Sequence, residues 1–179
     1  MTVLGVEGRE AERARAVASV QAQVGIDLSG VRFLVDVAPA TWSRAEVCRR
    51  RNALLARVRT RWVATLDDDD WWLPWHVQML WRRLAAFSGS AAIIPRGVCH
   101  GGRDGEPYFT LSSALIDTVA LRSIGGWIHA PGCHVDYITA YVLSASYPVH
   151  HIRDRATWVH EVGGHRQMVG ASRRQELAL

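Results

Sequence analysis

Between Leu66 and Pro74 the chain reads LDDDDWWLP. Four consecutive aspartates, Asp67 to Asp70, are entered from an apolar run and left through Trp71 and Trp72. Carboxylates held side by side near indole rings repel one another and are poorly hydrated. Either their pKa values rise or a cation neutralises them. A hard divalent ion, Mn2+ or Mg2+, suits such oxygen donors, and is commonly held by one or two carboxylates together with substrate phosphates. A solvated acidic patch is the plain alternative for any charge run. Such tracts do not ordinarily follow a segment like WVATL or precede WWLPW.

Every one of the 21 basic residues is Arg, against 17 acidic residues, for a net charge of +4. All cationic contacts therefore come from planar guanidinium groups, which suit phosphate and carboxylate. Three of them, Arg49 to Arg51, are consecutive. Successive helical residues diverge by about 100°, so only one of the three can face a given ligand. Cys99-His100 and Cys133-His134 are two Cys-His pairs, but their spacing matches no usual structural zinc pattern. The three cysteines are an odd number with no CxxC pair, so no disulfide framework is expected. The basic residues are spread along the chain without a stacking motif, which argues against nucleic acid as a partner. The opening MTVLGVEGRE is charged too early for a signal peptide, and no apolar run approaches the roughly 20 residues of a membrane span. A soluble, cytoplasmic protein is expected.

The elements that must position these groups alternate in the first half. Strands are predicted over 2–6, 31–37 and 62–66, and helices over 8–23, 43–59 and from Pro74 onward. Ser43 is the predicted N-cap of the second helix, with Glu46 completing a capping box. Ala14, Val17, Val20 and Val24 form the predicted apolar face of the first helix; Val77, Leu80, Trp81, Leu84 and Phe87 form that of the third. Pro74 is expected at the first position of that helix. This alternation implies parallel strands with right-handed crossovers and a ligand crevice at the strands' carboxyl ends. Asp36 and the aspartate run would both face it. In the second half, strands are predicted over 91–98, 108–116, 149–152 and 157–162, and helices over 117–124 and 136–146. The tail from residue 166 is polar. The whole reads as one domain.

Five segments in order resemble family-2 glycosyltransferases of the GT-A fold. FLVDVAP resembles the strand ending in an acidic nucleoside-binding motif. RRRNALLARVRTRWVATLDDDDWWLP resembles the run from an Arg-Asn pair to the DxD strand. SSALIDTVALRSIGGW resembles the segment ending in Gly-Gly-aromatic. CHVDYITAYVL resembles the acidic helix start that carries the catalytic base. ATWVHEVGGHR resembles the late strand whose His follows an aromatic.

The resemblance implies a single Rossmann-like α/β GT-A domain, with a mostly parallel sheet flanked by helices. Residues 1–90 would form the nucleotide-sugar half, 91–165 the half carrying the acceptor site and the base, and 166–179 a tail. It implies that Asp67 and Asp69 form the DxD, with Asp69 the metal ligand, supported by Asp67 and by His160. His160 could instead contact the diphosphate. Asp67 and Asp68 would lie near the ribose and diphosphate, and Asp36 at the nucleoside. Arg51 and Asn52 would be the Arg-Asn pair, and Trp127 would line the acceptor or donor-sugar pocket. Asp136 would be the general base, with His134 its substitute. Asp70 is open between a sugar contact and the N-cap of the following helix. His165 and Arg166 are weaker diphosphate candidates. The pattern departs from the family where Val37 follows Asp36 and where Val135 precedes Asp136, positions that often carry a second acid there.

The activity implied is metal-dependent, inverting transfer of a sugar from a nucleoside diphosphate sugar to an acceptor hydroxyl of unknown origin, by a chain that could form a homo-oligomer. Two other readings stand beside it. One is a non-catalytic nucleotide-sugar-binding module of the same fold, and the other a metal-dependent nucleotidyltransferase.

Overall fold

A computed structural model describes residues 1–39, 43–100 and 107–161. The expected tail, His165 and Arg166 lie outside them. The first half alternates as the sequence implies: β1 (Thr2–Val6), α1 (Glu10–Gln21), β2 (Leu34–Ala38), α2 (Arg44–Arg57) and β3 (Trp62–Asp67). β1 runs parallel between β2 and β3, and Leu4 is level with Asp36 on one side and Asp67 on the other. Two strand spacings, about 9–10 Å, separate those two aspartates at the same height of the sheet.

Ser43 caps α2, its hydroxyl accepting the Glu46 N–H at 3.2 Å. The reciprocal half of the capping box is absent, because the Glu46 carboxylate is drawn to Arg49 and Arg50 instead. α2 buries Val47, Leu54 and Leu55 as its spacing implies. α1 differs from expectation: it turns Ala16 and Val20 inward and leaves Val24, beyond its end, exposed. Its packing face is rotated because Arg9, Arg13 and Arg15 are directed toward the aspartate run.

After β3 the chain makes the two-residue strand β4 (Trp71–Trp72), then α3 (His76–Ala86). Pro74 precedes α3 rather than opening it, and Trp75 stands at the N-cap position without a side-chain bond. Gln23 from the end of α1 supplies the missing cap: its Oε1 accepts the Val77 N–H at 2.9 Å while its amide donates to Leu73 O. A terminal donor is thus satisfied from another element. Trp81, expected inside, is half exposed.

The second half breaks two predicted strands. The run 91–98 divides into β5 (Ala92–Pro95) and β6 (Gly97–His100), which join different sheets on either side of Arg96. The run 108–116 divides into β7 (Pro107–Tyr108), a 3-10 turn over Leu111–Ser113 and β8 (Leu115–Asp117). Then follow α4 (Thr118–Ser123), α5 (Val135–Ser146), β9 (Val149–Ile152) and β10 (Trp158–Glu161). Asp117 caps α4 through the Val119 and Ala120 N–H groups.

The central sheet has six strands in the order β2-β1-β3-β8-β5-β9, with β8 antiparallel to both its neighbours. A second sheet orders β4-β10-β6-β7. Trp158 is wholly buried at the centre of the latter and lies over Gly97, where a Cβ would sit 2.3 Å from the indole. Only glycine fits beneath that ring. The short second sheet brings β10 beside the aspartate run, which is its consequence for the site. Among the described residues no helix is long and apolar enough to cross a membrane.

Candidate functional site

The four aspartates leave β3 at its carboxyl end and take four different environments. Asp67 ends the strand, and its carboxylate receives two bonds from one Arg51 nitrogen, at 2.7 and 3.0 Å. The other terminal nitrogen of Arg51 donates to Asp136 Oδ1 at 2.6 Å. Arg51 is therefore a buried fork joining β3, α2 and the first turn of α5. Burial alone would weaken its hold on its proton, but the Asp136 and Asp67 carboxylates more than offset this. The guanidinium lies 4.7 Å above the Trp127 ring, where a cation gains further from the aromatic face. Arg49 and Arg50 turn outward onto Glu46, and Arg50 also reaches Asp36 at 3.1 Å. Of the three arginines, Arg51 alone faces both Asp67 and Asp136; helical geometry allows one of them to do so, and the Arg-Asn resemblance pointed to this one.

Asp136 is in the first turn of α5, and the N-cap position is held by His134. Burial raises the pKa of its carboxyl above the ordinary range. Arg51 opposes the rise, Asp67 adds to it, and His134 opposes it weakly. His134 itself is exposed. A carboxylate with raised pKa beside a partly open crevice is suited to proton transfer.

Asn52 and Trp127 take roles other than ligand contact. The Asn52 amide donates to the Trp127 carbonyl at 2.9 Å and accepts the Trp127 N–H at 2.8 Å. Trp127 is only 3 % exposed, so its indole is a support beneath Arg51 rather than an open sugar platform. Gly126, with φ +85°, is required here, since a Cβ would approach Asn52 Oδ1 to 2.3 Å.

Asp68 and Asp69 are both buried. Asp68 Oδ2 accepts the Val6 N–H at 2.6 Å. Its pKa is pushed up to about 6, chiefly by burial and by the Asp69 charge, against the Val6 bond and Arg9. One nitrogen of Arg9 lies 3.0 Å from Asp69 Oδ2 and 3.5 Å from Asp68 Oδ1. Arg15 adds a 3.4 Å bond to the Asp69 carbonyl and stacks over Trp71. These α1 arginines were missed in the sequence. The available signal was position: Arg9 follows β1, whose carboxyl end opens on the same crevice.

Asp70 is buried and pairs with His160 Nδ1 at 2.9 Å. It does not cap α3, a role Gln23 takes. His160 comes from β10 and is likewise buried. Asp67, Asp69 and His160 do not form one ligand set: they face Arg51, Arg9 and Asp70 respectively. Among the described residues no group of three or more His, Cys, Asp or Glu is placed to hold a metal. A two-carboxylate site is a different matter. Asp68 and Asp69 converge on one cationic nitrogen, which marks a position where both carboxylates meet a positive charge. That donor set fits Mn2+ or Mg2+, which take few protein carboxylates and complete their shell with water and phosphate.

No protein-family profile matches the sequence, and no curated protein matches it. Solved structures do match the fold. TarS 1–349 of S. aureus superposes with a TM-score of 0.67 at 12% identity, over 89% of this chain and 60% of that one. The same protein in complex with UDP-GlcNAc gives 0.66 at 11%, over 89% and 57%. Mannosyltransferase PcManGT from Pyrobaculum calidifontis, in complex with GDP-Man and Mn2+, gives 0.59 at 15%, over 89% and 56%. This chain thus spans less than two thirds of those proteins. The fold is GT-A-like, the fold of these glycosyltransferases.

Proposed function

We propose that the chain transfers a sugar from a nucleoside diphosphate sugar to an acceptor hydroxyl, with inversion. The observation that carries this reading is the Arg51 fork. It sets a carboxylate of raised pKa, Asp136, beside the aspartate run at the carboxyl end of β3, within a fold shared with structures that hold UDP-GlcNAc and GDP-Man.

Each residue then has a task. Asp36, Asp67 and residues 1–90 take the nucleoside and ribose, and the half from residue 91 receives the acceptor. Asp136 accepts the proton of the attacking hydroxyl as that oxygen bonds the anomeric carbon and the bond to the diphosphate breaks. The transition state has oxocarbenium character, as in glycoside hydrolysis. Arg51 keeps Asp136 oriented and supplies positive charge beside the leaving group. His160 and Asp70 act from behind as a buried brace. Asp68 and Asp69 would hold Mn2+ or Mg2+, and when bound that ion neutralises charge on the departing diphosphate. His134, exposed at the start of α5, borders the acceptor side.

Product analysis tests the reading. Incubation with a panel of sugar nucleotides and Mn2+ should release a nucleoside diphosphate and consume the sugar. Release of a sugar 1-phosphate from the same sugar nucleotides, or of pyrophosphate from a nucleoside triphosphate supplied with a sugar 1-phosphate, would instead identify nucleotidyl transfer. Tight donor binding with neither product would identify a binding module.

A further inference from the structure

Arg9 has a task the resemblance does not assign. It stands at the N-cap position of α1, immediately beyond β1, and its side chain returns over the sheet edge to Asp68 and Asp69. Its side chain is about one seventh exposed, whereas both carboxylates are nearly sealed. Arg9 is therefore the most open of these three side chains. It occupies the place where the two carboxylates converge, which is also where a hard cation would have to sit. A guanidinium and a dication cannot share that position.

The surroundings show where Arg9 can go. Arg13 follows one turn later, and its Nη1 is buried without a hydrogen-bond partner. That group packs at Gly5 beside the Asp68 carboxylate: a Cβ on Gly5 would lie 3.2 Å from Arg13 Nη1 and 3.5 Å from Asp68 Oδ2. A buried donor left unmatched is costly and commonly marks a place where a ligand completes the bonding. With Arg15 on the Asp69 carbonyl, α1 lines this rim of the crevice with guanidinium groups. A diphosphate is the anion that such planar donors bind in paired fashion.

We propose that Arg9 is an exchange residue: it neutralises Asp68 and Asp69 in the ligand-free protein and passes to the donor's diphosphate when a divalent cation takes those carboxylates. Cation and nucleotide then bind as a coupled pair. The proposal rests on the glycosyltransferase reading above.

Titration calorimetry on the full chain tests it, with Mn2+ alone and with UDP, GDP, ADP, CDP and dTDP in saturating Mn2+. Arg9→Gln should bind Mn2+ alone about tenfold more tightly, because the carboxylates are unmasked. It should bind the preferred nucleoside diphosphate about tenfold more weakly, within the range of ordinary coupling between sites. Opposite signs are the signature, since a merely structural arginine would weaken both together. Parallel weakening, or no change in either, overturns the proposal while leaving the glycosyltransferase reading intact. Wild-type protein that binds none of the nucleotides overturns both. Arg9→Lys, which keeps a cation beside the carboxylates, should show the same two signs at smaller size and serves if Arg9→Gln does not fold.

Discussion

The two ends of the aspartate run are three residues apart and live in different worlds. Asp67 retains about a quarter of its side-chain exposure, and Arg51 ties it to Asp136, which is similarly open. Asp70 is almost wholly buried against His160. The open end can meet a ligand. The closed end holds the second sheet against the first. A run of like charges is thus not one acidic patch: Asp67 meets Arg51, Asp68 and Asp69 share Arg9, Asp70 meets His160, and only the first is tied through its cation to a base.

Breaking the open end should have the largest effect. Asp136→Asn should lower kcat by about 10²–10⁴-fold, the usual contribution of a general base, while leaving donor affinity near the wild-type value. Unchanged steady-state turnover would transfer the base to another group. Arg51→Met should lower stability by about 3–5 kcal/mol, because two partly buried carboxylates lose their shared cation. Urea denaturation reads this directly, and a loss below about 1 kcal/mol would mean that water screens the pair.

The closed end should answer to pH instead. His76 packs on the two segments that carry the Asp70–His160 pair: it is wholly buried, stacked on Trp72 of β4 and bonded to Thr157, next to β10. Burial pushes its pKa down to about 3, from an ordinary 6.5, and the Thr157 and Ser113 backbones only partly resist. Its folded pKa is depressed, so the unfolded chain binds the proton more readily. Stability from this group is present above about pH 6.5 and is lost as pH falls toward 3. Between pH 7 and pH 4 the loss should be about 3 kcal/mol. His76→Phe should flatten that part of the profile in thermal melts, and an unaltered slope would assign it to other groups.

Smaller effects refine the contrast. Asn52→Ala removes two bonds to the Trp127 backbone and should cost about 2 kcal/mol. It should also lower kcat more than donor affinity, since the damage reaches the site only through Trp127 and Arg51. Arg49→Ala, outside the site, should change stability by less than about 0.5 kcal/mol. A larger change would show that the outward arginines share the load of Arg51.

Much of the first half was legible because its signals are local. Ser43 starts α2 by accepting a bond three residues away, branched residues make β3, and helical geometry lets only one of three neighbouring arginines face Asp67. The second half was less legible for the same reason. Nothing in residues 91–98 marks Arg96 as the point where one strand leaves for another sheet, because that break is set by β9 and β10 pairing on either side. Nor does a resemblance reveal that Trp127 is buried, since its burial depends on Asn52 from α2.

Composition, spacing and order by themselves determined an α/β sheet, a cluster of carboxylates at one strand end and an Arg-rich supply of counter-charges. Those follow from chain-local chemistry. Tertiary structure alone decided the pairings: Asp67 and Asp136 with Arg51, Asp68 and Asp69 with Arg9, Asp70 with His160. Partners separated by up to 90 residues meet only after β1, β3, α2 and β10 have packed, and charge matching at the crevice is fixed by that packing rather than by any segment alone.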